Sequence, residues 1–280
     1  MKSFKKTLAV FLAAVSIVSA SVPAVQASAA ESAYEPFYVA DSNGVICTAN
    51  MESINKGNMI WFPQEMIEED NQETYPVVIW ANGTMCVPAL YYELLSEIAS
   101  GGYIVVTNTE LFAGNGVEQS NSIDFIIGEN ADEDSIFYQH VDTENIGVAG
   151  HSQGGMSSVN CAVSDSRVDC VFSIAGNTDK NNAKNLTVPV CYLTGTKDYV
   201  VLSSLYVKPA YNNTKSKAVY ASLKGANHTH CCGTPSDYSG YAVEWFDAFL
   251  KGDESAYQTF APNGKLSQDS KWQDYKSKNF

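Results

Sequence analysis

GVAGHSQGG, residues 147–155, sets Ser152 among residues too small to hold it by packing. Gly150, Ser152 and Gly154 form G-x-S-x-G, a spacing that can be the sharp strand-to-helix turn presenting a reactive hydroxyl. The motif is short, so its meaning depends on where it falls. Apolar Ile146 to Ala149 read as a strand, and a helix is expected from Ser152 onward. Ser152 then stands where the two meet, and small neighbours relieve the crowding of so tight a bend.

Outward from this junction the chain alternates between two periodicities. Short runs apolar on both faces recur at 76–81 (PVVIWA), 103–108 (YIVVTN), 145–150 (NIGVAG), 168–176 (VDCVFSIAG), 188–195 (VPVCYLTG) and 217–223 (KAVYASL). Such runs suit strands buried between two helical layers. Between them, PALYYELLSEIASGG (88–102) has helical spacing and a glycine stop. Further helices are expected within Ser122 to Tyr138, from Ser152, and from Tyr238 to Leu250. Alternation of this kind predicts an α/β fold, a mainly parallel central sheet with helices on both faces. VICTAN and NMIWFP, within residues 36–62, flank the turn-prone N-K-G-N and predict an antiparallel hairpin at the N-terminal edge. Only Asn177 to Thr187 follow the strand after the nucleophile helix, too little for a cap domain. The acidic ENADED (129–134) reads as a solvated helix end rather than a calcium loop.

A serine hydroxyl needs a base, an orienting acid and donors for an oxyanion. Of the four histidines, His140 and His151 precede the serine. His151 fills the variable position of the motif, its side chain directed away from the nucleophile; with Tyr199 it is assigned to substrate contact. His228 follows the sixth apolar run in KGANHTH and is the expected base, with His230 as alternative. Asp198, in TKDYV beyond the fifth run, is the expected acid, with Asp179 as competitor. The oxyanion donors are expected at the amide of Gln153 and in NGTMC, at Thr84 or Met85. Trp61, Trp80, Tyr91, Tyr92 and Tyr199 are either an apolar wall or plain core.

Lys2, Lys5 and Lys6 precede an apolar run from Leu8 to Val18, then small residues through Val25, Ala27 and Ala29. This predicts a secretory signal peptide over residues 1–29, an exported product, and one catalytic domain over 30–280. No later segment is apolar for long enough to span a bilayer. Without those lysines, 14 basic residues face 31 acidic ones, a formal charge of −17. Nucleic acid and anionic membrane surfaces are therefore excluded as partners, and a monomer is expected. Seven cysteines leave at least one thiol outside any intrachain bridge. Cys191 reads as a buried small hydrophobe, and Cys231 and Cys232 as bridging to separate distant partners. H-x-H-C-C at 228–232 lacks the usual zinc-ligand spacing, so no metal is assigned.

With these pieces in order the chain resembles the α/β-hydrolases, specifically their dienelactone-hydrolase and polyester-hydrolase (cutinase-like) branch. The matching stretches are YPVVIWANGT, VDTENIGVAGHSQGG, VPVCYLTGTKDYVV, GANHT and VEWFDAFLKGDESA. The resemblance implies carboxylic ester hydrolysis by Ser152, Asp198 and His228 through an acyl-enzyme, with no cofactor and with main-chain donors near Thr84 or Met85 and at Gln153. Polyester hydrolases usually carry methionine at the position of Gln153 and an aromatic at that of Thr84 or Met85; dienelactone hydrolases carry cysteine at that of Ser152. Cys86, beside the oxyanion turn, is a candidate bridging partner for the Cys231 and Cys232 pair. An open site suits short-acyl or polymer-borne esters. Polysaccharide acetyl or feruloyl esters are the alternative substrates, and a non-catalytic binding protein of the same fold is the alternative function.

Overall fold

A computed structural model describes residues 38–53 and 56–280. The segment read as a signal peptide lies outside the described residues. The strands are β1 Tyr38–Ala40, β2 Val45–Ser53, β3 Lys56–Pro63, β4 Tyr75–Ala81, β5 Ile104–Asn108, β6 Val141–His151, β7 Val168–Ile174, β8 Val190–Gly195, β9 Ala218–Leu223 and β10 Trp272–Lys278. The helices are α1 Tyr92–Ser100, α2 Val117–Ala131, α3 Gln153–Ser164, α4 Lys180–Ala183, α5 Val207–Asn213, α6 His230–Gly233, α7 Ser239–Leu250, α8 Glu254–Phe260 and α9 Lys265–Gln268. All ten strands join one sheet in the order β1-β2-β3-β5-β4-β6-β7-β8-β9-β10. From β5 to β9 neighbours run parallel, and the antiparallel strands β1 to β3 form the N-terminal edge. This is the architecture of an α/β-hydrolase, and the segment between β7 and β8 holds only the single-turn α4 in place of a cap.

Strand β4 shows why the parallel runs are apolar throughout. Side chains alternate across a strand. Val78 and Trp80 enter the core that also takes Leu94 and Leu95 of α1 and Trp245 and Phe246 of α7. Val77 and Ile79 enter the opposite core, with Ile123 and Ile126 of α2 and Val159 of α3. Every residue of β4, β5, β8 and β9 is buried.

The chain adds β5 on one side of β4 and β6 on the other. This reversal opens a crevice at the carboxyl ends of β4 and β6, where ligands collect in open parallel sheets. Ala81 pairs with Gly150 there, so the turn after β4 lies beside the bend after β6.

Three boundaries differ from the sequence reading. The second helix begins at Val117 rather than Ser122. Gly116 holds φ 92° at its start, and a Cβ there would lie 2.4 Å from the Cys161 amide nitrogen, a close approach only glycine permits. It ends at Ala131, because the acidic segment turns back on itself, Asp132 accepting from the Asp134 amide at 3.0 Å. In the edge hairpin, Lys56, Gly57 and Asn58 already belong to β3 instead of forming its turn. Beyond α7 the chain adds β10, antiparallel to β9.

Candidate active site

Ser152 is the residue between β6 and α3, at φ 58° and ψ −121°. A non-glycine residue there is strained, and surrounding contacts must hold it. Its amide donates to Ile174 O at 2.9 Å across to β7. The flanking glycines have steric causes. A Cβ on Gly150 would lie 2.4 Å from the carbonyl of Gly154, and one on Gly154 would lie 1.9 Å from Ala81 O. The elbow is thus pressed against the end of β4, and no side chain fits between.

His228 and Asp198 reach this serine from the loops after β9 and β8. The Ser152 hydroxyl lies 2.9 Å from His228 Nε2, and His228 Nδ1 lies 2.8 Å from Asp198 Oδ2. The other carboxylate oxygen of Asp198 accepts from the amides of Val200 and Val201, each at 2.9 Å. Burial pushes the Asp198 carboxyl up, but the His228 hydrogen bond and these two amides outweigh it and hold the group below the usual range. An ionised Asp198 requires Nδ1–H on His228, which leaves Nε2 to accept the serine proton. His230 and Asp179, the competing candidates, stand elsewhere: His230 pairs with Asp237 at 2.9 Å, and Asp179 caps α4 through the Asn181 amide.

Two amides near the bend, one in the elbow and one in the turn after β4, stand outside the main-chain hydrogen bonding. Neither Gln153 N–H nor Thr84 N–H has a main-chain acceptor among the described residues. Each is therefore left free to donate to another acceptor. Met85 cannot share that role, contrary to the sequence reading. At φ 57° its amide turns away and donates to Leu111 O at 2.9 Å. Its side chain instead projects into solvent, 70% exposed.

His151 also departs from expectation. It is 2% exposed and touches no solvent a substrate could occupy, because β6 directs it into the layer below Ser152. Its Nε2–H donates to the His228 carbonyl at 2.7 Å, and its ring lies 4.8 Å from that of His228. Its Nδ1 accepts from the Tyr91 hydroxyl at 2.9 Å, and Tyr91 in turn accepts from Gly83 N–H at 3.1 Å. Burial, with the neighbouring His228 charge second, lowers His151 to about 4, so the ring stays neutral. Burial pushes the Tyr91 phenol far up, so it stays a donor. A chain of hydrogen bonds therefore ties the turn bearing Thr84 to the loop bearing His228.

Tyr91 is thus core, packed with Leu94 and Leu95, rather than substrate wall, but its hydroxyl is hydrogen-bonded. Trp61 and Trp80 are wholly buried, while Tyr199 stands 79% exposed on the acid loop. Met85, Val87, Leu90, Phe112, Tyr199, Val200 and Leu205 are exposed on loops leaving the carboxyl edge of the sheet. Close by, the loops after β7 and β8 enclose a depression of about 420 Å³ lined by Asn177, Thr178, Lys180, Leu205 and Tyr206. None of the seven cysteines is bridged in this structure, so the separate bridges expected for Cys231 and Cys232 are not seen. The two lie against each other on α6, beside His151.

Comparison with known proteins bears on the fold and the activity. A family model described as PET hydrolase-like matches residues 20–279. The chain is similar to cutinase est2 of Thermobifida alba, 25% identical over 228 residues that cover 79% of this chain and 73% of the cutinase. Cutinase 2 of Thermobifida cellulosilytica is 25% identical over 229 residues, covering 79% and 84%. A bis(hydroxyethyl) terephthalate hydrolase of Streptomyces coelicolor is 23% identical over 246 residues, covering 85% and 75%.

Proposed function

The chain belongs to the PET hydrolase-like family and is a carboxylic ester hydrolase, and from that premise we propose that Ser152, His228 and Asp198 are its catalytic triad. The observation that carries this reading is the unbroken series of hydrogen bonds from Ser152 Oγ through His228 to Asp198. Ser152 attacks the ester carbonyl while His228 Nε2 takes its proton. Asp198 holds the ring and stabilises the imidazolium that forms. The carbonyl oxygen, now negative, accepts from the amides of Thr84 and Gln153, each such donor being worth about 3–4 kcal/mol to the transition state. His228 returns the proton to the leaving alcohol. A water, deprotonated by the same nitrogen, then releases the acyl group and restores the hydroxyl.

The substrate is an ester borne on a polymer or carrying a short acyl group. The absence of a cap, together with an apolar rim of Met85, Phe112, Tyr199 and Leu205, supports a site that meets an extended chain lying across it. The depression beside Asn177 and Tyr206 suits a non-reacting portion of that chain. The enzyme is exported after removal of residues 1–29 and works as a monomer with one catalytic domain, residues 30–280. Among the described residues no helix is long and apolar enough to cross a membrane.

A panel of esters from acetyl to long acyl, with polyester film and acetylated or feruloylated glycans, tests this with Ser152→Ala as blank. Turnover of short-acyl and polymeric substrates that vanishes in the variant is expected. Activity confined to glycan esters refutes the substrate class, and activity surviving in Ser152→Ala refutes the mechanism.

A further inference from the structure

The catalytic reading leaves one group of reactive side chains unused. Behind the triad, the sulfurs of Cys231 and Cys232 and a ring nitrogen of His151 all lie within 4.8 Å of one another. His151 and Cys231 are buried, and Cys232 is half-buried. They come from two places: His151 ends β6, and the cysteines ride on the single turn of α6. The adjacent H-x-H-C-C residues lack zinc spacing because neither of their histidines takes part. His228 faces Ser152 and His230 faces Asp237. The third ligand comes from about eighty residues earlier in the chain.

The hydrogen bonds of His151 fit a ligand. Its Nε2 is 2.7 Å from a carbonyl oxygen, that of His228, so this nitrogen must carry the hydrogen. The lone pair is therefore on Nδ1, the nitrogen nearest Tyr91 Oη. Metal-binding histidines characteristically donate their second nitrogen to a carbonyl or carboxylate in this way, which fixes both tautomer and ring plane. Gly83 borders this group closely. A methyl there would lie 3.1 Å from both His151 Nδ1 and Tyr91 Oη and 3.4 Å from Cys86 Sγ. Tetrahedral zinc with bonds of about 2.3 Å to sulfur holds two sulfurs ~3.8 Å apart, and here both sulfurs lie within 4.8 Å of each other and of the ring nitrogen.

We infer that Cys231, Cys232 and His151 form a binding site for a thiophilic divalent cation of the zinc class, bordered by Cys86 and Tyr91 and distinct from the ester-cleaving groups. Two thiolates with one imidazole select a borderline-soft ion over magnesium or calcium, which require oxygen ligands. On binding, each cysteine S–H bond breaks and its proton leaves to solvent, and two Zn–S bonds form. The Nδ1 lone pair makes the Zn–N bond and gives up the Tyr91 hydroxyl. Two negative thiolates balance the dication, so no unpaired charge is buried. Occupancy would pin α6, and with it the loop carrying His228, to the end of β6.

The full-length exported protein, reduced and stripped of metal by chelator, is titrated with zinc(II) and separately with cobalt(II). One equivalent of zinc should bind with micromolar or tighter affinity and release two protons. Thermal stability should rise with zinc concentration, as mass action requires. Cobalt should give the visible bands of a tetrahedral ion with sulfur-to-cobalt charge transfer. Cys232→Ser, at the less buried ligand, should weaken zinc at least ~10-fold and abolish the charge-transfer band. X-ray absorption on the unaltered zinc protein, which depends on no variant folding, should count two sulfurs and one imidazole. Absence of stoichiometric binding, a zinc shell without sulfur, or undiminished affinity in Cys232→Ser overturns the inference. So does mass spectrometry that finds Cys231 or Cys232 in a disulfide in the protein as exported.

Discussion

Replacing Tyr91 by phenylalanine tests whether the hydrogen bonds beneath the triad position the oxyanion turn. The ring and its packing against Trp80, at a centroid distance of 5.1 Å, are kept; only the hydroxyl goes. Gly83 N–H then loses its acceptor and His151 Nδ1 its donor, both in a region where Tyr91 is 1% and His151 2% exposed. Each orphaned buried group costs about 1–3 kcal/mol, so the fold should lose roughly 2–6 kcal/mol in total. Catalysis should also suffer, because Gly83 is the residue before Thr84. Complete loss of an oxyanion donor costs about 3–4 kcal/mol. A turn that is loosened but not removed should forfeit only part of that, about 1.4 kcal/mol, a tenfold drop in rate. The loss should fall on kcat with KM little changed, since the donor acts chiefly on the transition state. Steady-state turnover of p-nitrophenyl butyrate, well below the melting range of the variant, measures it. A variant that is destabilised yet keeps full kcat would show that the network holds the fold without positioning the turn. A rise in KM alone would place Tyr91 among substrate contacts.

Removing the nucleophile in Ser152→Ala should lower p-nitrophenyl ester turnover by at least ~10³-fold at unchanged melting temperature. Asp198→Asn should lower kcat by about 10⁴-fold, because an amide no longer fixes Nδ1–H on His228; a loss under tenfold would remove Asp198 from the mechanism. Gly154→Ala places a methyl 1.9 Å from Ala81 O with no flexible side chain to yield, so a destabilisation above ~3 kcal/mol is expected in urea unfolding. Acid should destabilise the fold in a predictable direction. Asp165, held down chiefly by its hydrogen bond from Arg167, and Asp198 both sit below their ordinary range. The folded state therefore binds fewer protons than the unfolded one. The stability they supply is complete above the unfolded carboxylate value near ~3.9 and is lost as pH falls through the folded values. Melting temperatures from pH 7 to 3 should decline at the acid end, and less steeply in Arg167→Ala.

The apolar runs that became β4 to β9 were legible because strands buried on both faces need continuous hydrophobicity. β10 was not. Only Trp272 among its residues is buried, so this edge strand reads as a polar tail. Short α8 and α9 carry too few residues to establish a period. In the site, Ser152, Asp198 and His228 could be placed because each follows directly on a recognisable strand. Sheet geometry then brings strand ends together whatever the intervening sequence. The oxyanion turn was legible only as a pair of neighbours: choosing Thr84 over Met85 depends on a carbonyl from Leu111, which sequence spacing does not reveal.

The sequence by itself determined the order of β4 to β9, the bend at Ser152 and the three strand ends that meet there, because periodicity and small-residue spacing act over a few residues. Only the tertiary structure decided that His151 faces inward to Tyr91 and the His228 carbonyl, that Met85 gives its amide to Leu111, and that Cys231 and Cys232 meet a histidine from β6. Those choices depend on which polar atoms are left without water when distant segments pack together. A buried donor or acceptor takes the partner that three-dimensional packing brings within reach.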